Sequence, residues 1–250
     1  MNLFQALNFD LPLCTAFVGA GGKTTAMFSL ARQAPGPVWV TTSAHLGTDQ
    51  THLADRHYVV SSPEDIAPAQ WMQQKVVLLS GLATSDDRLS SPAPELLDSI
   101  HQIALREGAS LLLEADGSRS IPLKAPGDHE PPIPVWVRQV VVLAGFSMVG
   151  KPLSEKTVYR SGRFGELTGL SEGEPITIKC VRDVLIHPLG GLKNIPAEAV
   201  KGVIFNQADT SMEQNLAGSV ACDLLEGGYA RAIIGGLQSA PDELMCYSRC

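Results

Sequence analysis

The sequence predicts an α/β fold, a mostly parallel sheet flanked by helices and organised as a single domain over residues 1–250. Three observations carry that expectation. Short runs that are apolar throughout alternate with helix-length segments, as strands buried on both faces of a parallel sheet require. A glycine-rich loop, Gly19 to Thr25, sits between the first such run and the first helical segment. The chain is 44% hydrophobic and 18% charged over 250 residues, which suits one large buried core.

The elements follow in order. Leu13 to Val18 reads as a buried strand that ends in a glycine turn. In the helical segment Thr24 to Gln33, Met27, Leu30 and Ala31 share one face. Val38–Thr42, Tyr58–Ser61 and Lys75–Ser80 read as further strands. Ser91 and Pro92 open a helix whose apolar stripe is Leu96, Leu97, Ile100, Ile103 and Ala104, and Gly108 stops it. Ser110 to Glu114 is a leucine-rich strand and Gln139 to Ala144 a valine-rich one. Between them, Asp116 to Arg138 holds Pro122, Pro126, Pro131, Pro132 and Pro134, a density that forbids a regular helix. A second stretch, Gly150 to Glu174, carries Lys151, Lys156, Arg160 and Arg163. Both stretches, about 116–138 and 150–174, are expected to be irregular loops over the active face. The alternation resumes with a helix over Ile178–Ile186, a strand over Gly202–Phe205, a helix over Met212–Leu225 and a last strand over Ala230–Ile234.

Composition narrows the function. A net charge of −7 argues against a duplex nucleic acid as partner, because such proteins carry a basic balance. No apolar run approaches the length of a membrane span, and the N-terminal residues lack a basic segment followed by a long apolar one, so the expected compartment is the cytoplasm. Cys14, Cys180, Cys222, Cys246 and Cys250 are scattered, which is a poor disulfide framework. Cys246 and Cys250 read as ordinary thiols on a loose tail, with a metal or selenium-handling role as the alternative.

The segment Gly19-Ala20-Gly21-Gly22-Lys23-Thr24-Thr25 has the chemistry of a phosphate loop. Glycines let backbone N–H groups turn onto an anion, and the helix N-terminus adds partial positive charge. Lys23 is placed to reach the β and γ phosphates of ATP or GTP, Thr24 to put its hydroxyl on Mg²⁺, and Thr25 to bond the α phosphate. This makes the expected fold P-loop NTPase-like. The loop is shorter than G-x-x-x-x-G-K-[ST], which would need glycine where Phe17 stands; amide-bond-forming ligases of the Mur type use a loop of this length.

Leu111-Leu112-Leu113-Glu114-Ala115-Asp116 is an apolar strand that ends in two carboxylates. Side chains alternate along a strand, so Glu114 and Asp116 face the same way. Asp116 is the candidate Mg²⁺ ligand beside Thr24, and Glu114 the group that orients a water. Further on, Asn206-Gln207-Ala208-Asp209 resembles the N-K-x-D base-reading element of GTP-binding proteins, with Gln207 in place of the lysine. Asp209 then reads a guanine while Asn206 braces the loop. Alternatively it precedes a helix that Thr210 and Glu213 open as a capping box, and the two roles are compatible. Thr41, Thr42, Arg119, Lys124 and Arg160 are candidate phosphate or substrate contacts, and His129 and Glu130 candidate substrate contacts.

Taken together, Val18 to Thr25, Leu113-Glu114-Ala115-Asp116-Gly117-Ser118-Arg119 with Lys124-Ala125-Pro126, His129-Glu130-Pro131-Pro132-Ile133-Pro134, and Ala144-Gly145 leading to Gly150-Lys151-Pro152-Leu153 resemble the YqeC family. The resemblance runs over most of the chain. It implies an accessory role in maturing selenium-dependent molybdenum hydroxylases or a labile selenium cofactor, with such an enzyme or cofactor-maturation protein as partner. The family pattern carries more threonines where this chain has Thr41-Thr42-Ser43-Ala44-His45, and His-Arg where it has Tyr159-Arg160. Loop and resemblance together point to a Mg²⁺-dependent NTPase with Lys23, Glu114 and Asp116 as its catalytic groups. A small-molecule kinase or Mur-like ligase, and a nucleotide-gated scaffold that does not hydrolyse, are the alternatives.

Overall fold

The computed structural model describes residues 1–85 and 87–249. Its centre is a nine-stranded sheet: β1 (Cys14–Gly19), β2 (Val38–Thr42), β3 (Arg56–Val59), β4 (Val76–Ser80), β5 (Ser110–Glu114), β6 (Gln139–Gly145), β7 (Val200–Asn206), β8 (Arg231–Gly235) and β9 (Met245–Ser248). Their spatial order is β9-β8-β7-β6-β1-β5-β2-β4-β3, and all pairs are parallel except β8–β9. The chain therefore lays β2 to β5 on one side of β1 and β6 to β9 on the other. The crossovers reverse direction between β1 and β6, which opens a crevice at the carboxyl ends of those strands.

Apolar residues at both parities make this sheet. Along β6, Val140, Val142 and Ala144 join one core cluster while Val141 and Leu143 join the other. Helices α1 (Leu3–Leu7) and α2 (Lys23–Gln33) cover the second face, and Met27, Leu30 and Ala31 are buried there as their spacing predicts. Helix α3 (Pro94–Glu107) covers β2, β4 and β5 through Leu96, Ile100 and Ala104, beside Trp39 and Trp71, whose rings meet edge-on at 5.0 Å. Helices α4 (Ser161–Thr168), α5 (Ile178–Ile186), α6 (Ser211–Gly218) and α7 (Ala221–Glu226) complete the set used below. No described helix is long and apolar enough to cross a membrane.

Several sequence expectations need correction. The stretch 150–174 is not wholly irregular: Val158–Tyr159 pairs in parallel with Leu123–Lys124, and α4 follows at once. The helix expected over Met212–Leu225 is two, broken around Ser219 and Val220, where Gly218 lies against Tyr247 with no room for a side chain. Helix α3 starts at Pro94, not at Ser91, because proline at the first helical position has no amide to leave unsatisfied. The C-terminal residues are no loose tail: Cys246 lies in β9, and its thiol donates to the Ala6 carbonyl at 3.3 Å. Cys250 falls outside the described residues. Helix α1, capped reciprocally by Asn2 and Gln5, and a small antiparallel sheet of His45–Gly47, Ala83–Ser85 and Arg88–Ser90 were not expected.

Truncating the helix face that rests on the sheet should cost far more than truncating its solvent side. Leu30→Ala is expected to lower unfolding stability by about 2–5 kcal/mol, and the exposed Leu105→Ala to change it by less than about 0.5 kcal/mol, in urea melts followed by circular dichroism.

Candidate functional site

Because the strands are parallel, their carboxyl-terminal loops gather on one edge of the sheet. Gly19, Thr42, Glu114, Gly145, Asn206 and Gly235 all end strands there. The glycine loop passes between β1 and α2, and its tight path fixes its composition. Gly21 has φ +84°, and a Cβ on it would come within 2.5 Å of Gly145 Cα and 2.7 Å of the Pro122 oxygen. Gly22, at φ +117°, is the N-cap of α2 and lies against the Asn206 side chain. A side chain at either position is excluded by backbone conformation and by space.

The loop amides divide into two groups. Gly19 donates to Asp116 Oδ2 at 3.1 Å and Ala20 to the Leu143 carbonyl at 2.9 Å, so these two are used within the protein. The first intrahelical bond of α2 is Ala26 N to Gly22 O, which leaves the amides of Gly22, Lys23, Thr24 and Thr25 as the unsatisfied donors of a helix start. They border a cleft of about 840 Å³. One wall is Gly21 to Thr25; a second runs from Gly117 to Ser120 with Tyr159; a third comes from His45 to Gly47 and Arg88 of the small sheet.

Lys23 is almost fully buried and folds back over its own loop. Its Nζ donates to the Gly19 carbonyl at 2.8 Å and stands 3.5 Å from Asp116 Oδ1 and 3.8 Å from Glu114 Oε1. The two carboxylates thus face the same way, as strand alternation requires. They do not share their partners as the sequence suggested. Thr24 donates its hydroxyl to Glu114 Oε2 at 3.0 Å, whereas Asp116 Oδ2 is held by Lys124 at 2.8 Å. Asp116 Oδ1 is buried and accepts no hydrogen bond. Burial pushes the Glu114 carboxyl above its ordinary range, against the pull of Lys23 and the Thr24 hydroxyl.

Lys124 spends its remaining donors on the Gly117 carbonyl at 2.7 Å and Glu130 Oε2 at 2.9 Å. Arg160 grips Glu130 through both oxygens, at 2.6 and 3.0 Å. Burial would raise the Glu130 carboxyl, but Arg160 and Lys124 outweigh it and bring it down to about 2. The proline-rich segment is thereby tied to the site at Glu130, and Ser43 and Asn194 hold the carbonyls of Pro132 and Pro131. Arg160 sits 4.5 Å and Arg119 5.3 Å from the centre of the Tyr159 ring.

The other candidates are placed as follows. Asn206 is buried and bonded at both ends: its Nδ2 donates to the Gly21 carbonyl at 2.7 Å and its Oδ1 accepts from Leu237 N at 2.9 Å. It ties the glycine loop to the segment after β8. Asp209 is exposed and accepts from Ser239 Oγ at 2.5 Å, and the Thr210–Glu213 capping box is formed. Thr42 bonds the Glu114 carbonyl at 2.8 Å, while Thr41 is fully buried with an unpartnered hydroxyl. Arg163 pairs with Glu166, and Lys151 is exposed. No local pattern signals Gln238, which reaches Thr25 at 3.4 Å, or the small sheet as a cleft wall, because both are contributed from distant chain segments.

Fold and site define an α/β protein with a glycine loop at a strand–helix junction and two buried carboxylates beneath it. The family model of the YqeC protein matches residues 15–162, and a protein of Escherichia coli (strain K12) named "Uncharacterized protein YqeC" is 30% identical, covering 95% of this chain and 94% of its own length. The chain belongs to the YqeC family. No solved structure matches it.

The Glu130 ion network has a pH signature. A carboxyl lowered in the folded state stabilises fully above its unfolded value near 4.5, and that contribution disappears as pH falls toward about 2. Glu130→Gln is expected to cost ~2 kcal/mol at pH 7, with the gap to the parent closing between about pH 4.5 and 2, in urea titrations at each pH.

Proposed function

We propose that this protein binds a nucleoside triphosphate with Mg²⁺ on the loop Gly19–Thr25 and hydrolyses it as a maturation factor for molybdenum hydroxylases or their selenium cofactor. The observation that carries the reading is the set of unsatisfied amides from Gly22 to Thr25, opening on a large cleft beside Lys23. An anionic phosphate tail would satisfy those donors and the helix dipole together. The client enzyme class comes from the family resemblance alone, and the cytoplasm is the compartment that fits it.

The residues present suit a magnesium ion. Thr24 Oγ1 and Glu114 Oε2 are already adjacent, and Asp116 Oδ1 is a buried oxygen without a hydrogen bond. Among the described residues no group of three or more His, Cys, Asp or Glu side chains could hold a metal. Magnesium is commonly held by one or two carboxylates together with phosphates and water. When bound, such an ion neutralises charge on the β and γ phosphates.

The chain's own groups supply the rest. Lys23 exchanges its contact with the Gly19 carbonyl for phosphate oxygens. Thr24 and Glu114 would hold the ion, and Asp116, fixed by Lys124 and the Gly19 amide, would orient a water. This differs from the division of roles expected from sequence, where Asp116 was the ligand and Glu114 oriented the water. GTP is favoured over ATP by Asp209, with Asn206 bracing the loop.

Calorimetry with ATP and GTP in Mg²⁺ tests the reading. Lys23→Ala should lower affinity by about tenfold or more, the loss of one or two charge-assisted hydrogen bonds, and should abolish hydrolysis. Asp209→Asn should shift preference from guanine toward xanthine nucleotides. A parent protein that binds neither ATP nor GTP would overturn the proposal.

A further inference from the structure

The cleft is larger than a phosphate tail needs, and its two ends differ. At about 840 Å³ it lies in the upper part of the roughly 300–1,000 Å³ range of small-molecule sites. A nucleotide seated on α2 with its base toward Asp209 leaves along Gln207 and Gln238. The opposite wall, from Gly117 to Ser120 with Tyr159, is then left open.

That wall has the make-up of an anion site. Arg119 has no carboxylate within ion-pair distance among the described residues, whereas Lys124 and Arg160 are both neutralised by Glu130. The Arg119 guanidinium lies over the Tyr159 ring, which holds it in place while leaving its hydrogen-bond donors free. Arg119 and Ser120 both adopt left-handed backbone, at φ +51° and +61°, a conformation costly for non-glycine residues and concentrated at ligand clamps. Nothing lies within 4 Å of a Cβ placed on Gly117, so the backbone is open to an incoming group. The same segment begins beside Asp116, whose buried Oδ1 lacks a hydrogen-bond partner and stands 3.5 Å from Lys23 Nζ.

We infer that the cleft binds a second small molecule together with the nucleotide, an anionic compound whose phosphate or carboxylate group is held by Arg119 with the hydroxyls of Ser118 and Ser120. This rests on the nucleotide reading only for the order of the two ligands along the cleft. The result is a ternary complex of protein, nucleotide and anionic compound.

The test uses the full chain and two probes, glycerol phosphate and succinate, which separate phosphate from carboxylate recognition. Each is titrated by calorimetry into protein saturated with Mg²⁺ and a non-hydrolysable GTP analogue. One probe is expected to bind, to lose tenfold or more in affinity in Arg119→Ala, and to shift the Arg119 Nε signal in ¹⁵N spectra. The nucleotide affinity of Arg119→Ala should stay within twofold of the parent. Lys23→Ala, weakened in nucleotide binding, should still bind the probe with the parent's affinity, which separates this site from the glycine loop. Binding of neither probe overturns the inference, as does an equal loss of probe and nucleotide in Arg119→Ala, which would make Arg119 a nucleotide contact.

Discussion

Two carboxylates buried at the end of one strand set the terms for the whole site. Glu114 and Asp116 are 7% and 2% exposed, and isolated charges at such depth would be prohibitive. Each is compensated from a different part of the chain. Lys23 comes from the glycine loop, Thr24 from the first turn of α2, the Gly19 amide from β1, and Lys124 from the segment beyond β5. The compensation is incomplete, since Asp116 Oδ1 has no hydrogen bond and Glu114 is raised by burial. Buried acids whose pairing is incomplete mark a candidate functional site.

The network also explains why the proline-rich segment has a defined course without regular structure. Lys124 pins its start and Glu130 its middle, and Arg160 clamps Glu130 from the N-cap of α4. Carbonyls of Gly127, Asp128, Pro131 and Pro132 are taken by Lys193, Asn194 and Ser43. Side chains thus take over the bonding that proline denies to the backbone. A change at the glycine loop that moves Lys23 would be felt at Asp116, then Lys124, Glu130 and α4, because these groups touch in series.

Much of the fold was legible because a buried parallel sheet writes itself as uninterrupted apolar runs. Val140 to Ala144 and Leu111 to Leu113 are buried at every position, and helical periodicity placed Met27, Leu30 and Ala31. What escaped were elements whose stability is mostly tertiary. The strand Met245–Ser248 is half-buried and forms only because β8 offers an edge, and the three-residue strands around His45 and Arg88 have no periodicity to detect. Beside the break between α6 and α7, a Cβ on Gly218 would come within 2.7 Å of the Tyr247 hydroxyl, a contact with no local trace.

The sequence by itself determined the loop, the acid pair and their common direction, because glycine conformation, helix polarity and strand alternation are local rules. It also determined the Thr210–Glu213 cap. Only the tertiary structure decided partnership: that Thr24 meets Glu114 and not Asp116, that Asn206 braces the loop through the Gly21 carbonyl and the Leu237 amide, and that Lys124 and Arg160 are spent on acids while Arg119, among the described residues, is not. Those outcomes depend on sheet order and on the course of irregular segments, which no local pattern encodes.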